Sequence, residues 1–246
     1  MSGGASADPA LCLSFSVRQA ESGRLFHRGL RRTSAMRLQI GDIPCPTASS
    51  PEADGWTRVT GPSGPSVQLI AWFIGIATLT GLLALIVVTS LAVPLPSRQP
   101  DVQEPTSWVA VVLTLVLAVP VHELMHAIFH PDGGLSSATI FVIWPRKLRF
   151  GVYFEGYMSR RRWLIMRLAP LIILSIVPTG LLAATAGLPR SFTVETVLSL
   201  FLLVNALGSG GDVLAAAWVI SNTPRESTMA FLGGKAYWRS GSFTPA

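Results

Sequence analysis

Four long apolar runs decide what this chain can fold into. The first, Val67 to about Val93, contains no charged residue, and roughly 20 apolar residues in a helix suffice to cross a hydrocarbon core of about 30 Å. A lipid-facing backbone has to satisfy its own N–H and C=O groups, so runs of this kind are expected to be helices. The others extend from about Trp108 to Phe129, Trp163 to Ala186 and Val194 to Ile220. Pro94 and Pro96, a polar loop at 97–107 and a tight turn from Gly187 to Phe192 punctuate them. Residues 1–64 are rich in Ser, Gly, Pro and Arg and show no sustained apolar period, so they are expected to be a flexible polar segment. Residues 221–246 are expected to be a polar cytosolic tail. The expected fold class is an all-α membrane protein with about four transmembrane helices in a core at 65–220.

Charge patterning sets the expected orientation. The connection at 131–162 holds Arg146, Lys147, Arg149, Arg160, Arg161 and Arg162, whereas the connections at 97–107 and 187–193 hold only Arg98 and Arg190. The bias of Lys and Arg toward cytoplasmic loops then places both termini and the 131–162 connection in the cytosol of a multi-pass cell-membrane protein. With 50% hydrophobic and 13% charged residues, the net charge of +6 asks for anionic lipid headgroups before nucleic acid, for which no motif is present. Cys12 and Cys45 suggest neither a disulfide framework nor a paired-cysteine metal site.

Between the second and third runs the period changes from helical to alternating. Thr139 to Trp144 and Leu148 to Glu155 flank Pro145-Arg146-Lys147, and Leu148, Phe150, Val152 and Phe154 alternate with Arg149, Gly151, Tyr153 and Glu155. The expectation is a small β-hairpin at the membrane interface, whose edge could hold an extended substrate by strand addition. Ahead of it, Gly133-Gly134 breaks the helix, and Arg167 near the start of the third run is expected to snorkel to the interface.

Chemistry concentrates in His122-Glu123-Leu124-Met125-His126, at the end of the second run. Residues four apart on a helix lie one turn above each other, so His122 and His126 can share a metal ion, with Glu123 beside them as the base. Ionisable groups inside a span cost roughly 2.5 to 3.5 kcal/mol each, and three in one turn call for a compensating partner such as a divalent cation. Pro120, just ahead, removes a helix hydrogen bond and can open room there. A catalytic zinc usually takes three protein ligands and keeps one position for water. Asp212, in the glycine-rich stretch Asn205-Ala-Leu-Gly-Ser-Gly-Gly-Asp212, is the first choice for the third ligand; His130, Asp132 and Glu155 compete with it.

These residues resemble a family. A transmembrane His122-Glu123-x-x-His126, followed by a later helix with Asn205 and a Gly-rich approach to Asp212, is similar to the site-2 protease group of intramembrane zinc metalloproteases. It is more similar still to a bacterial and archaeal family of zincin-type membrane peptidases. The resemblance covers roughly 65–235 and implies Zn²⁺ held by His122, His126 and Asp212, Glu123 as catalytic base, and Asn205 as a contact for substrate or oxyanion. Met125 in place of a small residue, the absence of Pro between Asn205 and Asp212, and Val213 after the Asp depart from the site-2 protease pattern.

The expected function is a zinc metallopeptidase that hydrolyses peptide bonds of protein or peptide substrates in or near the bilayer. A divalent-metal transporter and a non-catalytic membrane scaffold are the alternatives. The single ionisable cluster argues against an ion path, which needs polar groups on both sides of the midplane.

Overall fold

A computed structural model of the chain describes residues 35–41, 55–59, 64–92, 105–145, 149–185, 192–232 and 235–241. The expected stops at Pro94 and Pro96, residues 97–104 of the 97–107 loop and residues 187–191 of the turn after the third run lie outside these residues. In chain order the elements are β1 (Arg37–Ile40), β2 (Thr57–Arg58), α1 (Pro65–Ala92), α2 (Pro105–Ile128), β3 (Thr139–Trp144), β4 (Arg149–Phe154), β5 (Tyr157–Ser159), α3 (Arg160–Leu171), α4 (Val177–Ala184), α5 (Phe192–Gly208), α6 (Gly210–Asn222), β6 (Ser227–Leu232) and β7 (Lys235–Ser240). A 3₁₀ turn, Pro131–Gly134, follows α2, and a π-helical segment, Ile172–Ile176, joins α3 to α4.

Among the described residues four helical stretches are long and apolar enough to cross a membrane: Pro65–Val88, Trp108–Ile128, Arg160–Ala184 and Val194–Asn222. Their outer surfaces bear this out. Trp72, Phe73, Val88, Trp108, Val116 and Leu181 are among many large apolar side chains left exposed, far more than water tolerates on a monomer. The third stretch is α3, the π segment and α4 in succession, and the fourth is α5 and α6 meeting at Ser209.

The all-α expectation is corrected: the described residues also form two sheets. In the first, β3 pairs antiparallel with β4, Phe141 opposite Val152, and β1 adds in parallel on the other side of β3, Leu38 opposite Phe141. What the alternation presents as a two-stranded hairpin is thus part of a three-stranded sheet, order β1-β3-β4. The second sheet has the order β2-β7-β6-β5 and is antiparallel throughout. Residues from both ends of the chain, expected to be featureless, therefore contribute strands. In the C-terminal stretch the β-branched and aromatic residues of Ser227–Leu232 and Lys235–Ser240, on either side of Gly233-Gly234, supply the strand propensity.

The described core sits where this second sheet meets α3 and α6. Phe154, Met158, Trp163, Met166, Val219 and Met229 form one buried cluster, flanked by Phe129, Phe231 and Trp238. Trp56, buried beside β2, stacks on Tyr157 at 5.2 Å and lies under the Arg239 guanidinium at 4.9 Å. Two of the three consecutive arginines at the start of α3 tie helix ends together. Arg162 donates to the carbonyls of Phe129 (3.0 Å) and His130 (2.8 Å) past the end of α2, and Arg160 to Ile220 O and Thr223 Oγ1, both at 2.9 Å, at the end of α6. The last carbonyls of a helix lack partners within it and carry partial negative charge, so a guanidinium satisfies both needs.

Candidate metal centre

Three buried side chains converge: His122 and His126 from α2 and Asp212 from α6. Asp212 Oδ2 lies 3.1 Å from His122 Nε2 and 3.2 Å from His126 Nε2. The two rings stand edge to face, centroids 5.0 Å apart and planes at 86°.

The opposite ring nitrogens fix what these contacts mean. His126 Nδ1 is 2.8 Å from the backbone carbonyl of Met166, which can only accept, so Nδ1 carries the proton. His122 Nδ1 is 2.9 Å from Asn205 Oδ1. That oxygen is assigned by its own amide nitrogen, which donates to Pro170 O (2.9 Å) and Ser175 Oγ (2.6 Å). In the neutral form of each imidazole the Nε2 lone pair therefore points at a carboxylate oxygen. Lone pairs so arranged repel unless a positive centre, a shared proton or a metal ion, stands among them. A tetrahedral zinc with bonds of about 2.0 to 2.1 Å spaces its ligand atoms by about 3.3 Å, close to the two N–O distances here, and the second hydrogen bond on each His is the usual companion of a metal-ligating imidazole.

Local backbone chemistry builds this arrangement. Pro170 has no N–H for the carbonyl four residues back, that of Met166, which is thereby free to accept from His126. Pro178 likewise withholds a donor from Leu174, inside the π-helical segment that places Ser175 against Asn205. On the other side, Ser209 separates α5 from α6, and its N–H and Oγ both bond back to Asn205 O. Asp212 then falls in the first turn of α6, where a carboxylate meets the positive end of the helix dipole. Gly210 allows α1 to lie against this junction: a Cβ there would come within 2.0 Å of Ala71 O. At the far end of α2, Asp132, Gly133 and Gly134 adopt positive φ (57°, 63° and 76°), turning the chain sharply toward β3.

The other charged groups have distinct places. Arg167 does not snorkel outward as expected; it turns in, donating from Nη1 to Asp212 Oδ1 at 2.8 Å. The buried carboxylate and the stacking faces of Trp163 and Phe231, 5.2 and 5.4 Å from the guanidinium carbon, offer more than the interface does. Glu123 Oε2 accepts from the Val152 N–H of β4 at 3.1 Å. That N–H points away from β3, so β4 turns toward the His-Glu helix the edge that no described strand pairs with.

Each competitor for third ligand lies elsewhere. His130 is buried, its Nδ1 3.2 Å from Thr139 Oγ1 and its ring against Phe154 at 5.3 Å. Burial, reinforced by neighbouring cationic side chains, holds its pKa down at about 3, so it stays neutral. Glu155 pairs with Arg37, and Asp132 sits in the 3₁₀ turn. Asn205 lies behind His122 with all three of its polar bonds made to protein groups. Three participants are not evident from the motif: Arg167, the Met166 carbonyl and the Val152 N–H. An arginine within an apolar run and a proline four residues after Met166 are the signals that could have found the first two.

Neither a curated protein nor a solved structure matches the chain. Residues 115–228 match a family model described as "Putative zincin peptidase", a range that takes in both histidines, Glu123, Arg167, Asn205 and Asp212. The part of the chain that builds the candidate metal centre is thus similar to a zincin-type peptidase family.

Proposed function

We propose that this protein is a membrane-embedded zinc metallopeptidase acting on peptide bonds of membrane-associated protein or peptide substrates. One observation carries the reading: both imidazoles are tied through Nδ1, so that two Nε2 lone pairs and Asp212 Oδ2 face one point, with Glu123 beside them and not among them. His122, His126 and Asp212 would hold the metal. When bound, Zn²⁺ polarises a substrate carbonyl and lowers the pKa of a coordinated water to about 7.

The remaining roles belong to the chain. Glu123 accepts the proton of the attacking water and returns it to the leaving amine, which needs no serine or cysteine nucleophile. The N–H of Val152 holds the Glu123 carboxylate in place. Among the described residues no strand pairs with the outer edge of β4, which supports strand addition: an extended substrate that took the place of Glu123 at the Val152 N–H would run past Glu123. Val152→Pro removes the N–H of that edge and would weaken substrate binding.

The membrane setting rests on the four apolar helical stretches and on the exposed apolar face of the first sheet, where Leu38, Ile40 and Phe150 stand on one side. That face supports placing the sheet at the interface, on the cytosolic side by the positive-inside rule, with both termini cytosolic.

The test is zinc content of the detergent-purified protein, wild type beside Glu123→Gln, His126→Ala and Asp212→Ala, with cleavage of membrane-protein substrates followed in parallel. Near one zinc per chain, kept in Glu123→Gln without cleavage and lost in the other two, is the expected result. A wild type that takes up no zinc in chelator-free buffer would overturn the proposal.

A further inference from the structure

Arg167 is the one charged side chain, among the described residues, that reaches Asp212 from outside the His-His-Asp group. The two carboxylate oxygens are divided between different partners: Oδ2 faces His122 and His126, and Oδ1 takes the Arg167 Nη1 donor at 2.8 Å. The guanidinium has little freedom to leave. It lies against Trp163 and Phe231, and Trp163 is itself locked in the buried cluster with Met158, Met166 and Met229. Its Nε–H is buried without an acceptor among the described residues. A buried donor left unsatisfied costs about 1 to 3 kcal/mol, so the side chain is held here for its contact with Asp212 and not for complete satisfaction of its own donors.

A carboxylate with two free oxygens can grip a metal with both, which fills the coordination position that an open catalytic site keeps for water. Engaging one oxygen in a charge-assisted hydrogen bond removes that option and also draws electron density from the carboxylate, leaving the metal more electrophilic. Resting on the zinc-site reading above, we infer that Arg167 is a positioning residue that holds Asp212 to the metal through Oδ2 alone and so keeps one coordination position open.

Cobalt(II) reports this directly, because four-coordinate Co²⁺ absorbs strongly in the visible range and five-coordinate Co²⁺ weakly. The full-length protein in detergent would be loaded with Co²⁺ as wild type, Arg167→Met and Arg167→Gln, with Co²⁺ affinity measured by chelator competition and folding checked by thermal unfolding. The amide nitrogen of Gln ends two bonds short of Nη1, so neither variant keeps the donor to Oδ1, while Gln retains a polar group that Met lacks. The wild type should show the intense four-coordinate spectrum. Arg167→Met and Arg167→Gln should show the weak five-coordinate one, with an affinity altered by about tenfold or more. Should Arg167→Met fail to fold, Arg167→Gln decides alone: a five-coordinate spectrum supports the inference and a four-coordinate one overturns it. An Arg167→Met spectrum and affinity indistinguishable from a metal-loaded wild type would overturn the inference while leaving the zinc site standing. A wild type that binds no Co²⁺ and no Zn²⁺ would overturn both.

Discussion

Gly210 and Gly211 are neighbours in the first turn of α6, yet alanine should act on them in opposite directions. At Gly211 a Cβ meets nothing within 4 Å, so Gly211→Ala gains helix propensity alone, about 0.5 to 1 kcal/mol. At Gly210 the added carbon would lie 2.0 Å from Ala71 O and 2.9 Å from Gly75 N, all backbone atoms of α1. Backbone has no rotamer by which to escape, so α1 and α6 must separate by about 1 Å or more. Overpacking of this kind costs about 1 to 3 kcal/mol, occasionally more, and the propensity gain offsets only part of it. A Cβ on Gly75 would likewise come within 2.7 Å of Leu207 O near the end of α5, so α1 lies close against both helices of the junction. At roughly 2 to 4 °C per kcal/mol for a chain of this length, Gly210→Ala should unfold several degrees below wild type in detergent and Gly211→Ala at or slightly above it. Because Asp212 lies two residues on, Gly210→Ala should also lose zinc affinity. A Gly210→Ala protein as stable as Gly211→Ala would refute the close approach of α1 to this junction.

Three further outcomes are expected. Asn205→Leu leaves the buried His122 Nδ1–H without its acceptor and should weaken zinc binding about 10- to 100-fold in a chelator competition; a change under twofold would show that this bond does not orient the ring. Pro170→Ala restores an N–H four residues beyond Met166 and sets it in competition with His126 for that carbonyl. Helix stability should rise while zinc affinity falls, and a rise in both would contradict the role given to the proline. His130 stays neutral in the fold with a pKa near 3, while unfolding returns it to its ordinary value of 6.5. The unfolded state therefore binds the extra proton between these values, so this contribution to stability is intact above pH 6.5 and is lost as pH falls below it, by up to about 1.4 kcal/mol per unit. Denaturation curves at pH 7.5 and 5 should differ less for His130→Gln than for wild type.

Local chemistry made much of this protein legible in its sequence. Uncharged runs longer than a bilayer core have few alternatives to helices, and an H-E-x-x-H spacing places two imidazoles on one helix face whatever surrounds them. The alternation from Leu148 to Glu155 marked a strand for the same local reason, and Asp212 stood out because carboxylates are scarce in the apolar runs. What the chain could not announce were the pairings between distant segments. β1 joins β3 across the whole of α1 and α2, and β2 reaches β7 from the opposite end of the chain, because an edge strand accepts any partner of suitable register and no short pattern records which one arrives. Arg167 looked like an interfacial cation until tertiary packing set Asp212, Trp163 and Phe231 around it. The sequence by itself determined the four apolar helical stretches and two of the three proposed ligands, since both follow from period and composition. Only the tertiary structure decided how the carbonyl freed by Pro170, the amide of Asn205 and the guanidinium of Arg167 orient the group, because each is a contact between helices that local propensity does not encode.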